Sequence, residues 1–301
     1  MSKSDSPACF VANIDLKLAD KLKEDLVNQG FKITQPQYTI FSAQKKGISC
    51  TLYASGKLTV QGKDKDEFIS FYLEPEILGA FAYSYPEVGV DLTPRIGVDE
   101  AGKGDFFGPL CVAAVQADGD KIKEMLSFGV RDSKKIADLS ILKLMKKIQQ
   151  SVPHAIVRIF PQKYNEMYAS FHNLNRLLAW GHARAIAEMV QKTSCTTVII
   201  DQFANEHVVE NALERQKIQV NLTQRHRGEE DPVVAAASIL ARGAFLEGLE
   251  KLSETVGVPL PKGASQKVIE VGKILVAKQG ADILKTVAKL HFKTTDEVLG
   301  N

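Results

Sequence analysis

Three acidic places in this chain of 301 residues carry side chains that could work together. The first is the pair Asp99-Glu100, which closes an apolar stretch within Gly97-Val98-Asp99-Glu100-Ala101-Gly102-Lys103-Gly104-Asp105. The second is Asp201, at the end of the near-continuous apolar run 197–200. The third is Glu229-Glu230-Asp231, just ahead of a run of small apolar residues that starts at Pro232. Neighbouring side chains on a strand diverge, so Asp99 and Glu100 reach a shared point from different sides. Asp201 lies where α/β sheets place their ligands, at the C-terminal end of a strand. Oxygen-only donors of this kind suit Mg2+ or Mn2+. Acids ahead of a helix also serve as ordinary N-terminal decoration. Glu229, Glu230 and Asp231 therefore stand as alternatives for a fourth acid.

The segment around Asp99 also nearly spells a phosphate-binding loop, a glycine, four residues, then Gly102-Lys103. Such a loop aims backbone N–H groups at an anion. Two ionised carboxylates inside it would repel phosphate, and Gly104 stands where a hydroxyl should meet Mg2+. The carboxylates are the better guide. The bland alternatives are a solvated acidic turn and, as a different class of function, a nucleic-acid-binding protein without catalysis.

The elements that must position these acids follow from patterning. Hydrophobic residues make up 45% and charged residues 25% of the chain, enough for a substantial core, and the net charge is only +2. Residues 1–90 hold ten lysines, no arginine and eleven acids, so neither half is strongly basic. The four cysteines are scattered without a CxxC pair, which argues for reduced thiols. With no leader pattern and no apolar run near 18 residues, a cytoplasmic protein without a membrane partner is expected. From Arg95 onward strands are expected over 96–99, 110–116, 155–160, 197–201 and 217–222, alternating with helical runs. That pattern predicts an α/β domain over 95–301 with a mixed sheet covered by helices. Ahead of it, 86–94 reads as a linker and 1–85 as a small α+β domain. There Leu16, Leu18, Leu22, Leu26 and Val27 recur near helical spacing before Gly30. Ile48, Cys50, Leu52 and Ala54 then alternate with Ser49, Thr51, Tyr53 and Ser55, and Leu58 and Val60 with Lys57, Thr59 and Gln61. A second helix is expected in 65–78. His172, His182 and Trp180 read as structural, and Asn173 as a helix cap.

These residues resemble the type 2 ribonucleases H. The segment 97–110, Asp132-Ser133-Lys134-Lys135, the strand ending in Asp201 and the helix segment 235–242 match four family blocks in order. The resemblance covers 95 to about 295. The N-terminal extension, the Gly102-Lys103-Gly104 triplet and the "DFFGP" that follows resemble the ribonuclease HIII branch, whose extension is a TATA-box-binding-protein-like module. The family's pattern at the fourth acid fits Arg227-Gly228-Glu229, although the distance to Ser238 is one residue shorter, which keeps Glu230 and Asp231 open. The resemblance implies an endoribonuclease that hydrolyses the RNA strand of RNA–DNA hybrids, leaving 5′-phosphate and 3′-hydroxyl ends. It implies two divalent ions, Mg2+ or Mn2+, about 4 Å apart, held by Asp99, Glu100, Asp201 and Glu229. The glycines Gly102 and Gly104 would let the backbone read the ribose 2′-hydroxyl, with Lys103 on a phosphate. Ser133 and Lys134 would grip a flanking phosphate, and Tyr53 would serve a nucleic-acid platform on the first domain. Ala264 replaces a tyrosine of the ribonuclease HII branch, which implies poor cleavage at single embedded ribonucleotides. No obligate protein partner is expected, and the chain is read as a monomer.

Overall fold

The computed structural model describes residues 9–79, 90–130, 133, 136–203 and 206–300. The chain divides into two units, Met1–Asp91 and Leu92–Asn301.

The first unit is an antiparallel sheet of β1 (Cys9–Asn13), β2 (Lys32–Thr34), β3 (Thr39–Lys45), β4 (Ile48–Tyr53) and β5 (Lys57–Gln61), in the order β1-β5-β4-β3-β2. Helix α1 (Ala19–Asn28), the short α2 (Lys65–Phe68) and a π-helical segment, Ile69–Leu78, supply the rest of its core. The alternation read from the sequence holds: Ile48, Cys50, Leu52, Leu58 and Val60 are buried, while Ser49, Thr51, Tyr53 and Thr59 stay partly open. Ala54 does not continue the buried row, because the chain is already turning there. Leu16 and Val27 also leave the predicted apolar stripe. Leu16 belongs to a 3-10 turn ahead of α1, and both are about half exposed. The second helix winds as a π-helix around Pro75, which has no N–H to give to a regular ladder. Strands β1 and β2 were not anticipated: β2 has only three residues, and β1 has no fully buried residue to mark an inner face.

The second unit is built on a mixed sheet of β6 (Arg95–Ala101), β7 (Leu110–Ala117), β8 (His154–Ile159), β9 (Thr197–Asp201) and β10 (Asn221–Arg225), in the order β10-β9-β6-β7-β8. β6, β9 and β10 run parallel; β7 is antiparallel to both β6 and β8. The helices are α3 (Gly119–Ser127), α4 (Asp138–Ser151), α5 (Pro161–Phe171), α6 (Leu174–Thr193), α7 (Glu206–Arg215), α8 (Pro232–Val256), α9 (Gln266–Gln279), α10 (Ile283–Val287) and α11 (Thr294–Leu299). Helix α8 packs on β6 and β7 with α4 outside it, and α6 packs on the opposite face beside α7. The predicted strand over 217–222 lies instead at Asn221–Arg225. Lys217 turns the chain at a positive φ of 57°, and Ile218 and Val220 are apolar because they pack on the core ahead of the strand.

Helix α8 is long and apolar enough to cross a membrane, contrary to the sequence expectation, yet most of that stretch is buried inside the unit. Its close seat depends on Gly97, where a Cβ would lie 2.4 Å from the backbone of Val233 and Val234. The four cysteines are free, and burial pushes the Cys50 and Cys111 thiols up to about 12.

Candidate active site

Strand β6 distributes its side chains between two helices. Arg95, Gly97 and Asp99 face α8, whereas Ile96, Val98 and Glu100 face the α6 side, as strand alternation requires. Asp99 and Glu100 therefore diverge, as the sequence implied. The parallel register that pairs Val98 with Ile200 brings Asp201, the last residue of β9, level with Asp99. Asp99, Glu100 and Asp201 line one cleft of about 370 Å³, together with Gly102, Asp105, Ser133, Ser238, Arg242 and Lys262.

Each acid is held by short-range partners. Asp99 Oδ1 accepts the Glu100 N–H at 2.7 Å, and the Ser238 hydroxyl donates to the same carboxylate. Ser133 Oγ lies 2.7 Å from Ser238 Oγ. Either serine hydroxyl can donate to the other. The Gly228 N–H reaches Asp201 Oδ1 at 2.9 Å. Enclosure by protein, and next the like charge of Glu100, raise the Asp99 carboxyl well above the usual carboxylate range; the Ser238 and Glu100 hydrogen bonds oppose this.

His182 is the functional neighbour that sequence reasoning missed. Read as merely structural, it is fully buried on α6 with Nε2 3.1 Å from Glu100 Oε2, and its Nδ1 has no hydrogen-bond partner among the described residues. The Glu100 carboxylate accepts the Nε2 proton, which fixes the tautomer. Phe203 lies against the imidazole, with centroids 4.7 Å apart, and Lys103 Nζ sits 5.7 Å from the same phenyl ring. Lys103 Nζ is also 3.8 Å from Glu100 Oε1. The signal was present in the sequence only as a histidine within an otherwise apolar helix face. Trp180, expected in the core, is half-buried; Asn173 caps α6 as expected, accepting the Arg176 N–H.

The three alternatives for the fourth acid separate. Asp231 is buried and caps α8, accepting the Val233 N–H at 2.8 Å and Arg95 Nε at 2.8 Å. Glu230 is exposed and pairs with Arg227 at 3.0 Å. The backbone of Glu229 lies in the 3-10 turn Gly228–Glu230 beside β9, and its side chain is outside the described residues. Lys134, Asp132 and Lys135 are also outside them. Among the described residues no three His, Cys, Asp or Glu side chains are drawn tightly around one point. The backbone amides of Glu100 and Gly228 each bond one oxygen, Asp99 Oδ1 and Asp201 Oδ1. An all-oxygen donor set with one carboxyl raised by burial and by the like charge of Glu100 fits a hard divalent cation, which would favour its ionised form.

Gly102 takes a φ of +88°, and a Cβ there would lie 2.2 Å from the Pro109 carbonyl oxygen. A side chain is excluded at Gly102. Gly104 is exposed, with open space where a Cβ would be. Tyr53 lies on the polar face of the first unit's sheet, on the strand where Thr51 bonds Ser42 at 2.9 Å.

Comparison with known proteins agrees with this geometry. Residues 96–295 match the family model "Ribonuclease HII", and residues 9–81 match a domain of unknown function, DUF3378. The Ribonuclease HIII of Protochlamydia amoebophila is 55% identical over 97% of this chain and 97% of its own length. That of Chlamydia felis is 48% identical over 96% and 97%. Among solved structures, Bst-RNase HIII in complex with Mn2+ superposes with a TM-score of 0.69 at 29% identity, covering 97% of this chain and 98% of that one. Aquifex aeolicus RNase H3 gives a TM-score of 0.57 at 25% identity, over 94% and 100%. The chain belongs to the type 2 ribonuclease H family, on its ribonuclease HIII branch, and is an endoribonuclease that cuts the RNA strand of RNA–DNA hybrids.

Proposed function

We propose that Asp99, Glu100, Asp201 and Glu229 hold two divalent ions, Mg2+ or Mn2+, and that hydrolysis leaves 5′-phosphate and 3′-hydroxyl ends. One observation carries this reading: a crowded carboxyl, Asp99, stands level with Asp201 on the adjoining parallel strand in one open cleft. Glu229 is the acid of its trio left for the cleft, since Arg95 and the α8 cap occupy Asp231 and Arg227 holds Glu230. The bound ions would lower the pKa of a water and offset charge developing on the leaving 3′-oxygen.

The remaining work falls to this chain's own groups. His182 holds the Glu100 carboxylate in one orientation, and Ser133 through Ser238 does the same for Asp99. Gly102 and Gly104 bring bare backbone to the 2′-hydroxyl, by which RNA differs from DNA. Lys103 places a charge where the backbone phosphates pass. Ser133, from the cleft wall, and Lys134 flank the next phosphate. Tyr53 stacks or packs on a nucleic acid laid over the TATA-box-binding-protein-like first unit. The chain acts as a monomer in the cytoplasm, with no obligate protein partner.

The deciding experiment offers four substrates with Mg2+ or Mn2+: a labelled RNA–DNA hybrid, a DNA duplex, a duplex with a single embedded ribonucleotide, and ATP. Cutting confined to the hybrid's RNA strand, abolished in Asp99→Asn and Glu229→Gln but kept in Glu230→Gln, is expected. Full activity in Glu229→Gln would refute its assignment. Tyr53→Ala should weaken hybrid affinity; an unchanged affinity across a salt titration would remove the platform.

A further inference from the structure

Lys289 is a charged side chain with no solvent exposure at all, and nothing in the metal chemistry uses it. Its Nζ donates to the carbonyl oxygens of Asp105 at 2.8 Å and Gly108 at 2.7 Å, with that of Phe107 at 3.5 Å. The Tyr164 ring closes a further side at 5.8 Å. An ammonium has three donors and no acceptor, so a cage of three carbonyl oxygens matches its valence. Burial pushes the Lys289 ammonium down to about 7, a measure of what its desolvation costs. An apolar residue would avoid that cost but would leave these carbonyl oxygens without a donor.

What it stabilises is the return limb of the glycine loop. The 105–108 segment turns its carbonyls inward, where no strand receives them. Its N–H groups are fixed from two other places in the chain: Phe106 N donates to Gly263 O at 2.9 Å, and Gly108 N to Val287 O at 3.0 Å. Lys289 N returns a bond to Phe106 O at 2.9 Å, and Asp105 Oδ1 accepts Gly263 N–H at 2.6 Å. The tip of the loop lies close against this base: the Asp105 N–H reaches Gly102 O at 3.4 Å, and Gly102 abuts the Pro109 carbonyl.

We infer that Lys289 is a positioning residue for ribose recognition, its ammonium setting the 105–108 backbone and through it the place of Gly102 and Gly104. This rests on the reading that the glycine triplet senses the 2′-hydroxyl. Lys289 touches neither substrate nor metal. It acts through main-chain carbonyls, so the sequence around it carries no sign of the role.

The test is a cycle between residue 289 and the substrate's sugar, run on the full chain. kcat/KM is measured for the hybrid, and for the same duplex with 2′-fluoro replacing the hydroxyl at each position beside the cut in turn. In the parent chain, losing the recognised hydroxyl is expected to cost about 10- to 100-fold. In Lys289→Met the hybrid should fall by about tenfold or more, while the 2′-fluoro penalty shrinks to within about threefold. An equal loss on both substrates would show a structural role only and overturn the proposal. No penalty in the parent chain would instead sink the glycine reading, a separate outcome visible without any variant. Should Lys289→Met not fold, Lys289→Gln, which keeps two N–H donors, carries the same measurements. Amide exchange in the parent chain adds a check: the Phe106 and Gly108 amides should be strongly protected, and rapid exchange at both would also overturn the assignment.

Discussion

The two ends of strand β6 treat buried charge in opposite ways. At its start Arg95 meets Asp231, the N-cap of α8, at 2.8 Å, with both side chains almost wholly buried. Four residues later Asp99 faces the same helix at Ser238, but the strongest charge acting on it is that of another acid, Glu100. One end is neutralised and contributes to holding α8 against the sheet. The other sets Asp99 beside the like charges of Glu100 and Asp201, a configuration that lowers stability and favours binding of a cation. Removing an acid should therefore have opposite consequences at the two ends.

Asp99→Asn is the strongest way to break the comparison. Hybrid cleavage should fall by about 10⁴-fold or more, on the order of 5 kcal/mol of transition-state stabilisation. In the absence of divalent ions the same change should raise Tm, by about 2–4 °C per kcal/mol of relieved repulsion for a unit of this size. Retained cleavage, or a lower metal-free Tm, would contradict the picture of an unbalanced end.

Asp231→Ala is its mirror. Leaving Arg95 buried without its counter-charge should cost about 3–5 kcal/mol, and the lost cap about 1 kcal/mol more. Urea unfolding measures this, and activity per folded molecule should persist. Selective loss of activity at unchanged stability would make Asp231 a site acid after all.

That contrast marks how much could be read from the residues alone. The alternating buried strands, the carboxylates at two strand ends and the glycine triplet are local patterns, so periodicity and residue type revealed them. Asp231 was left open because a cap and a ligand are written with the same letter, and only the burial of Arg95 tells them apart. His182 and Lys289 were invisible for the same reason: their partners lie 82 and about 181–184 positions away. Strand β10 was misplaced because Ile218 and Val220 are apolar for packing, not for pairing.

His182 sharpens the comparison at the acidic end. Without its N–H, Glu100 loses the partner that fixes its rotamer, and second-layer contacts of this kind are worth about 10- to 100-fold in metal affinity. His182→Ala should weaken Mn2+ binding by that factor in a titration followed by electron paramagnetic resonance. Unchanged Mn2+ affinity in the folded variant would leave His182 as packing only.

The smallest expected effect is also the most specific. Because the folded Asp99 carboxyl is raised above the value near 4 of an unfolded aspartate, the metal-free folded state binds more protons than the unfolded one between those two values. Its contribution to stability is thus present in acid and lost as pH rises through the raised value. Metal-free Tm should decline over that interval, and a saturating divalent ion should flatten or reverse the decline, since it binds the ionised site. Ser238→Ala removes a hydrogen bond that favours the ionised carboxylate, so it should push the Asp99 titration further upward and weaken metal binding by about 0.5–1.5 kcal/mol. The Arg95–Asp231 end has no share in this mechanism. A metal-free Tm that instead climbs steadily from pH 4 to 8, in parent and Ser238→Ala alike, would mean that Asp99 ionises in the folded chain without strain, and the two ends of β6 would differ in sequence but not in electrostatics.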